Sequence, residues 1–201
     1  TMDDIARFTY TSKSTLVRFA KTLGFRGWKD FNRVLMEEIK YQESNKSTID
    51  VNFPFVESDD YKKVIDNMAQ LQIESIMDTA NLIQEKMLEL AVIRLSKAKN
   101  IILFGMCPNS YYAESLRWKF LSIGLHIHIA GYGEFGMLAR TLTKDDCAIL
   151  VSYSGDNVNK DPMAQVEILK KQNVPMIAMT SGGNNYLQQN IDCIFEISAR
   201  E

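Results

Sequence analysis

The runs IILFGM (101–106) and CAILVSY (147–153) decide the fold. Each is a short, continuous apolar stretch, and each is followed by a segment with helical spacing. Three further runs read the same way: HIHIA (126–130), PMIAMT (175–180) and CIFEI (193–197). Between and after them, Tyr111–Ile123, Phe135–Thr141, Ala164–Gln172 and Tyr186–Gln189 carry helix patterns. Strands that are apolar on both faces and alternate with helices form an α/β layer around a largely parallel sheet. The spacing therefore predicts a five-stranded, mostly parallel sheet flanked by helices.

Toward the N-terminus the pattern changes twice. Tyr61 to Lys97 places Val64, Ile65, Met68, Leu71, Ile76, Met77, Ala80, Ile83, Met87 and Leu90 at helical intervals. Two or more amphipathic helices fit, with Asp59 or Asp60 as the N-cap. The preceding stretch, YQESNKSTIDVNFPFVESDD (41–60), is polar, lacks a helical period and contains Pro54. It reads as an inter-domain linker. The chain is expected to divide into a small all-α head (1–42), a linker (43–60) and the α/β body (61–201).

Composition narrows the function classes. The 201 residues are 46% hydrophobic and 24% charged, which excludes a disordered, collagen-like or disulfide-scaffold chain. No apolar run approaches the roughly 20 residues that span a bilayer, and no signal-peptide core opens the chain. A cytoplasmic protein without a membrane partner is expected. Cys107, Cys147 and Cys193 are odd in number, far apart and set in apolar runs, so buried free thiols are expected. Their spacing suggests no zinc site, and neither metal nor cofactor is implied. The net charge is −2, but residues 1–42 hold eight basic and five acidic side chains, so a head of +3 precedes a remainder of −5. That asymmetry suits a DNA-contacting module joined to something else.

The head reads as a helix-turn-helix. MDDIARF forms a short helix, TYT a turn, and Ser12 an N-cap for KSTLVRFAKTLG, which Gly24 ends. Ile5, Leu16, Phe19, Ala20 and Leu23 supply one apolar face. On the other face Lys13, Ser14, Thr15, Arg18 and Lys21 are the candidate DNA contacts, most of them in the turns that meet base edges and phosphates in a major groove. No acidic residue interrupts Lys13 to Phe25, as a phosphate-facing surface requires. An ordinary helical hairpin with a polar face is the alternative.

The stretch SKSTLVRFAKTLGFRGWKDF resembles the second half of the helix-turn-helix domain of the RpiR/MurR family of transcriptional regulators. Ser12, Thr15, Val17, Arg18, Phe19, Lys21, Leu23, Gly24, Phe25, Gly27 and Trp28 carry the likeness. Where that family usually places a turn glycine this chain has Tyr10, so strain or a rebuilt turn is expected. The body resembles the SIS (sugar isomerase) domain of the same regulators. Gly105, Ala113, Lys119 and Gly124 match its first strand and helix, with Cys107 and Asn109 replacing a glycine and a serine. CAILVSYSGDN matches its S-x-S-G-x-T loop, with Asn157 for threonine, and Thr180 and Ser181 match the end of the fourth strand. Relative to the family pattern, about 40 residues before the head and about 45 at the C-terminus are expected to be missing.

The resemblance implies a regulator that reads operator DNA as a homodimer and senses a phosphorylated sugar. The effector residues would be Asn109, Ser110, Ser152, Ser154, Gly155 and Asn157. Independently of the family, ligands of open parallel sheets sit beyond the strand carboxyl ends. A serine-rich loop running into a helix N-terminus offers hydroxyls and N–H groups to a phosphate, and Gly155 would let the backbone approach. The alternative for these residues is helix capping with no ligand. His126 and His128 share one strand face but have no third metal ligand. Glu134 is the one carboxylate placed for acid–base work, and an exposed loop charge is its plainer reading. Two rival functions stand beside the regulator: a sugar-phosphate isomerase with no catalytic residues assigned, and a degenerate paralogue that senses nothing.

Overall fold

The computed structural model describes residues 1–44 and 49–198. Residues 45–48 of the expected linker and 199–201 of the body lie outside the described residues. The chain separates into two compact units, Thr1–Pro54 and a second beginning at Phe55.

The first unit has three helices: α1 (Met2–Phe8), α2 (Lys13–Thr22) and α3 (Trp28–Ser44). Thr1 and Asp4 form a capping box on α1, and Ser12 caps α2 by accepting from the Thr15 N–H. Leu23 closes α2 and Gly24 follows in the left-handed region at φ 85°. Tyr10 also sits in that region, at φ 52°, so the turn keeps the geometry a glycine would favour. A tyrosine there stores on the order of 1 kcal/mol of strain. Phe31 of α3 takes edge contacts from Phe19 and Phe25, at 5.7 and 5.3 Å between ring centroids, and a tilted one from Trp28 at 5.4 Å. Only Leu16 and Ala20 of the first unit are buried among the described residues; Phe19 and Leu23, expected on the apolar face, remain half-exposed. Helix α3 also continues through Ser44, into the polar stretch that shows no helical period. Tyr41, Gln42 and Glu43 include no breaker, and extending an existing helix costs little.

The second unit opens with α4 (Tyr61–Leu82) and α5 (Glu85–Lys97). Asp60 caps α4 through the Lys63 N–H at 2.8 Å. The sheet follows: β1 (Ile101–Gly105), β2 (Ile127–Ile129), β3 (Cys147–Val151), β4 (Met176–Thr180) and β5 (Cys193–Glu196). Its order is β2-β1-β3-β4-β5, and every pairing is parallel. Connecting helices are α6 (Asn109–Leu121), α7 (Phe135–Thr141), α8 (Val166–Lys171, after a 3-10 turn at Met163–Gln165) and α9 (Tyr186–Asn190).

Alternate residues of each strand serve opposite faces. Ile102, Phe104, Ala148, Leu150, Met176 and Ala178 pack with α7, α8 and α9. Ile101, Leu103, Cys147, Ile149, Ile177 and Cys193 pack with Ala91 of α5 and Ala113 of α6. Both faces are covered, which is why the strands read as unbroken apolar runs. Phe104, Leu103 and Leu150 are fully buried, and such side chains stabilise a fold by about 1.5–3 kcal/mol each.

One buried carboxylate secures the pairing of β1 with β3. Asp146 accepts from the Asn100 N–H and side-chain amide, at 3.2 and 2.7 Å. It also accepts from the Thr143 N–H and hydroxyl, both at 2.8 Å. These bonds hold its pKa below the usual carboxylate value against burial, which acts the other way. Beside it Lys99 and Asp145 pair at 2.7 Å.

The cysteines divide. Cys147 and Cys193 are buried free thiols, and burial pushes Cys147 up to about 12. Cys107 is exposed, contrary to expectation, because β1 ends at Gly105 and the thiol lies in the following loop. Among the described residues no helix is long and apolar enough to cross a membrane.

Candidate functional site

The strand order reverses between β1 and β3, because β1 leads outward to β2 while β3 leads to β4. In such sheets the crevice for a ligand lies above that reversal, at the carboxyl ends. Gly105 and Val151, the last residues of β1 and β3, are in register. A Cβ added to Gly105 would lie 3.4 Å from that of Asn109 and 3.7 Å from that of Val151, so α6 starts directly over the strand ends. Asn109 and Ser110, both half-buried, form the first turn of α6. The loop from β3 begins beside them with Ser152. Four of the expected effector residues, Asn109, Ser110, Ser152 and Ser154, thus lie on the two loops that flank the reversal. Helix α6 begins two residues before the expected Tyr111.

The β3 loop departs from expectation in one respect. It does not run into a helix N-terminus: residues 152–162 precede the short 3-10 turn at Met163, and neither serine caps a helix. The loop docks on the start of α9 instead. The Gly155 carbonyl accepts from the Leu187 N–H at 3.1 Å, and the Asp156 carboxylate accepts from the Tyr186 N–H at 3.3 Å. Ser152 is half-buried, and its hydroxyl accepts from the Gly155 N–H at 3.3 Å; Ser154 is exposed. Asn157 forms a tight turn of its own, taking the Asn159 N–H on its side chain and the Lys160 N–H on its carbonyl.

Gly155, expected to let the backbone approach a ligand, is buried. At φ 61° an added Cβ would lie 2.5 Å from Thr180 Oγ1 and 2.6 Å from Asn185 Oδ1. What approaches its backbone closely is the end of β4. Thr180 and Asn185 are themselves joined: the Asn185 amide donates to Thr180 Oγ1 at 2.8 Å, and Thr180 donates to the Tyr153 carbonyl at 3.1 Å. Asn185 also caps α9 in a box with Gln188. This polar knot holds the loop from below and leaves Ser154 outward. Sequence reading missed it, although the N-x-x-Q spacing of Asn185 and Gln188 is a capping-box signal.

The other candidates settle plainly. His126 and His128 are exposed, and His128 lies 3.8 Å from Glu134. The Glu134 carboxylate accepts from the Gly131 N–H at 2.8 Å, which makes it part of the turn before α7. A cleft of about 810 Å³ lies at the opposite, amino ends of the strands, among Arg94, Lys97, Lys144, Asp145 and Asp192. Arg94 and Asp192 pair there at 2.6 Å, and the helices α5 and α8 point their negative ends toward it, which the lysines complement.

In the first unit, Lys13, Ser14, Arg18 and Lys21 are exposed on α2 and Thr15 is half-buried. The hydroxyls of Ser14 and Thr15 lie 2.7 and 2.9 Å from that of Ser12, so both belong to the cap. Lys13 pairs with Asp3 of α1 at 2.6 Å. That carboxylate lies outside the acid-free run from Lys13 to Phe25, and only the fold brings it alongside.

The doubly wound parallel sheet sets its hydroxyl-bearing loops where open α/β sheets hold their ligands. Residues 94–201 match the SIS domain, and the chain belongs to that family. A relative from Haemophilus influenzae, described as an uncharacterized HTH-type transcriptional regulator, is 29% identical over 180 residues, which are 89% of this chain and 62% of the relative. The Vibrio vulnificus NanR protein complexed with ManNAc-6P shares the fold with a TM-score of 0.64 and 24% identity, over 100% of this chain and 69% of that one. An RpiR transcription factor from Sphaerobacter thermophilus (sugar isomerase domain) gives a TM-score of 0.59 and 21% identity over 67% of this chain and 74% of that one. The expected SIS domain, the resemblance to helix-turn-helix regulators and the α/β fold class are all upheld. The chain spans under two thirds of the Haemophilus relative's length.

Proposed function

We propose that this chain is the DNA-binding and effector-sensing part of a transcriptional regulator of sugar or amino-sugar metabolism. The observation that carries this reading is the meeting, at the sheet's reversal, of the Asn109–Ser110 turn and the Ser152–Ser154 loop. Together they offer hydroxyls, a carboxamide and the first turn of the 13-residue α6 to a phosphate. That NanR is complexed with ManNAc-6P supports a phosphorylated sugar as the effector class. Lys13, Arg18 and Lys21 of α2 face operator DNA, and the effector changes DNA affinity by binding two arrangements of the regulator unequally.

The test is calorimetric titration with a panel of phosphosugars that includes ManNAc-6P. Hydrogen bonds to a charged group contribute about 1.5–3 kcal/mol, so Ser154→Ala is expected to weaken the best ligand roughly tenfold or more. Affinity for DNA without effector stays unchanged in that variant. Flat isotherms for every phosphosugar refute effector sensing, and turnover of a bound one restores the isomerase reading.

The regulator works as a homodimer. Ile65, Met68, Ile73, Ile76 and Met77 leave α4 with an exposed apolar side opposite buried Leu71, and Tyr111, Tyr112 and Trp118 do the same for α6. Exposed apolar area of this extent marks a protein interface, and a second copy matches the two-fold symmetry of a palindromic site. Light scattering at tens of micromolar is expected to give twice the 23.0 kDa chain mass. A clean monomer refutes the dimer.

A further inference from the structure

We infer that the corner between α2 and α3 is a second DNA contact, a seat for backbone phosphates distinct from the groove-facing side of α2. The inference rests on the DNA-binding reading above and assigns to it residues outside the recognition helix. Arg26, Gly27, Lys29, Asn32 and Arg33, with Asp30, line a hollow of about 610 Å³. Three cations there face one carboxylate. Asp30 is half-buried and already engaged, accepting from the Arg26 N–H at 3.3 Å and pairing with Arg33 at 3.3 Å. Arg26 and Lys29 are exposed and have no ion-pair partner among the described residues.

Two features make this more than a solvated charged face. The first is open backbone. Nothing lies within 4 Å of the position a Gly27 Cβ would take, so an anion meets no obstacle at the start of α3. The first N–H groups of this 17-residue helix have no acceptors within the helix. The second is rigidity. Phe25 and Trp28 alternate with Arg26 and Lys29 in sequence, and both rings pack on Phe31. The aromatic side chains anchor the corner on its inner side while the cations stay outside. A corner held this way loses little backbone freedom when it binds.

The occupant follows from position. A duplex that takes an α-helix into its major groove, about 12 Å wide, carries a phosphate strand along each side of it. The chain leaving α2 at Gly24 reaches the corner within four residues and meets one of those strands. Contacts of this kind fix register and add affinity for any sequence, whereas α2 reads bases. The seat can therefore be tested before the operator is known.

The experiment uses the full chain and a labelled mixed-sequence 30-bp duplex, followed by fluorescence anisotropy between 50 and 200 mM NaCl. Arg26→Gln with Lys29→Gln is expected to weaken binding roughly tenfold or more at 0.1 M salt. The slope of log affinity against log salt should flatten by about 1.8, the value for two lost phosphate contacts. Unrelated duplexes should weaken alike. Gly27→Asp, which meets no steric obstacle, places a carboxylate in the seat and is expected to weaken binding further. Thermal melting of the double variant should match the unaltered chain, since Arg26 and Lys29 are exposed, and Gly27→Asp, which puts a capping residue before α3, should melt no lower. If the unaltered chain binds no duplex at 50 mM salt, the DNA-binding reading fails and the seat with it. If it binds and Arg18→Ala weakens it, while the double variant keeps affinity and slope, the seat alone is overturned.

Discussion

Gly155→Ala is expected to destabilise the second unit by about 3 kcal/mol. Two costs add. An L side chain at φ 61° costs roughly 1–2 kcal/mol, and overpacking a close-fitted site typically costs another 1–3 kcal/mol. The clash is firm, because Thr180 Oγ1 and Asn185 Oδ1 would be 2.5 and 2.6 Å away and both side chains are buried. Neither can swing aside without breaking the bonds to Tyr153 and Ser181. Urea unfolding followed by circular dichroism measures the loss, and less than about 1 kcal/mol would show that the loop moves freely away from β4. Because Ser152 and Ser154 ride on the same loop, the variant should also lose phosphosugar affinity at temperatures where it remains folded.

Removing the Asp146 carboxylate should cost about as much. Asp146→Ala leaves the part-buried Asn100 and Thr143 N–H groups without their acceptor, and bonds to a charged group are worth about 1.5–3 kcal/mol each. A loss of about 3 kcal/mol or more is expected. The same carboxylate predicts a pH dependence. Its folded pKa lies below the ordinary value of 3.8, so its contribution is complete above that value and disappears as pH falls through the folded one. Acid titration of stability should therefore be shallower below pH 3.8 in Asp146→Ala than in the unaltered chain. An equal slope in both would assign the acid sensitivity elsewhere, for example to Asp192 beside Arg94, whose pKa is also held low.

What could be read from residue order alone follows from how far each contact reaches. The apolar runs of β1 and β3 announce themselves because burial on both faces leaves no alternation to confuse them. Strand ends then place Asn109, Ser110, Ser152 and Ser154 without any knowledge of packing. The Ser12 cap and the Gly24 stop are local for the same reason. Asp146 is different: its bonds to Thr143 are local, but Asn100 is 46 residues away and is brought to it only by the β1–β3 pairing, and one of two adjacent aspartates in a turn reads as solvated. The fit of Gly155 against Thr180 and Asn185 is equally hidden, because those residues are 25 and 30 positions away. The acid-free run from Lys13 to Phe25 hides the Lys13 ion pair for a like reason, since Asp3 reaches it only when α1 folds back on α2. Cys107 was misplaced by a strand boundary one residue shorter than the apolar run.

The order of the strands has a further consequence, for synthesis on the ribosome. Strand β1 pairs with β2 on one side and β3 on the other, and both partners lie after it in the chain. Val151 is translated 46 residues after the Gly105 it pairs with, an interval of about 2–9 s at 5–20 residues per second. During that interval the most buried strand of the domain leaves the exit tunnel with its inner edge unpaired and only β2 and the helices α4 to α7 to shield it. Nascent chains caught in this window are the form of the protein that a holdase chaperone would meet, and slower elongation across residues 106–150 would lengthen their exposure.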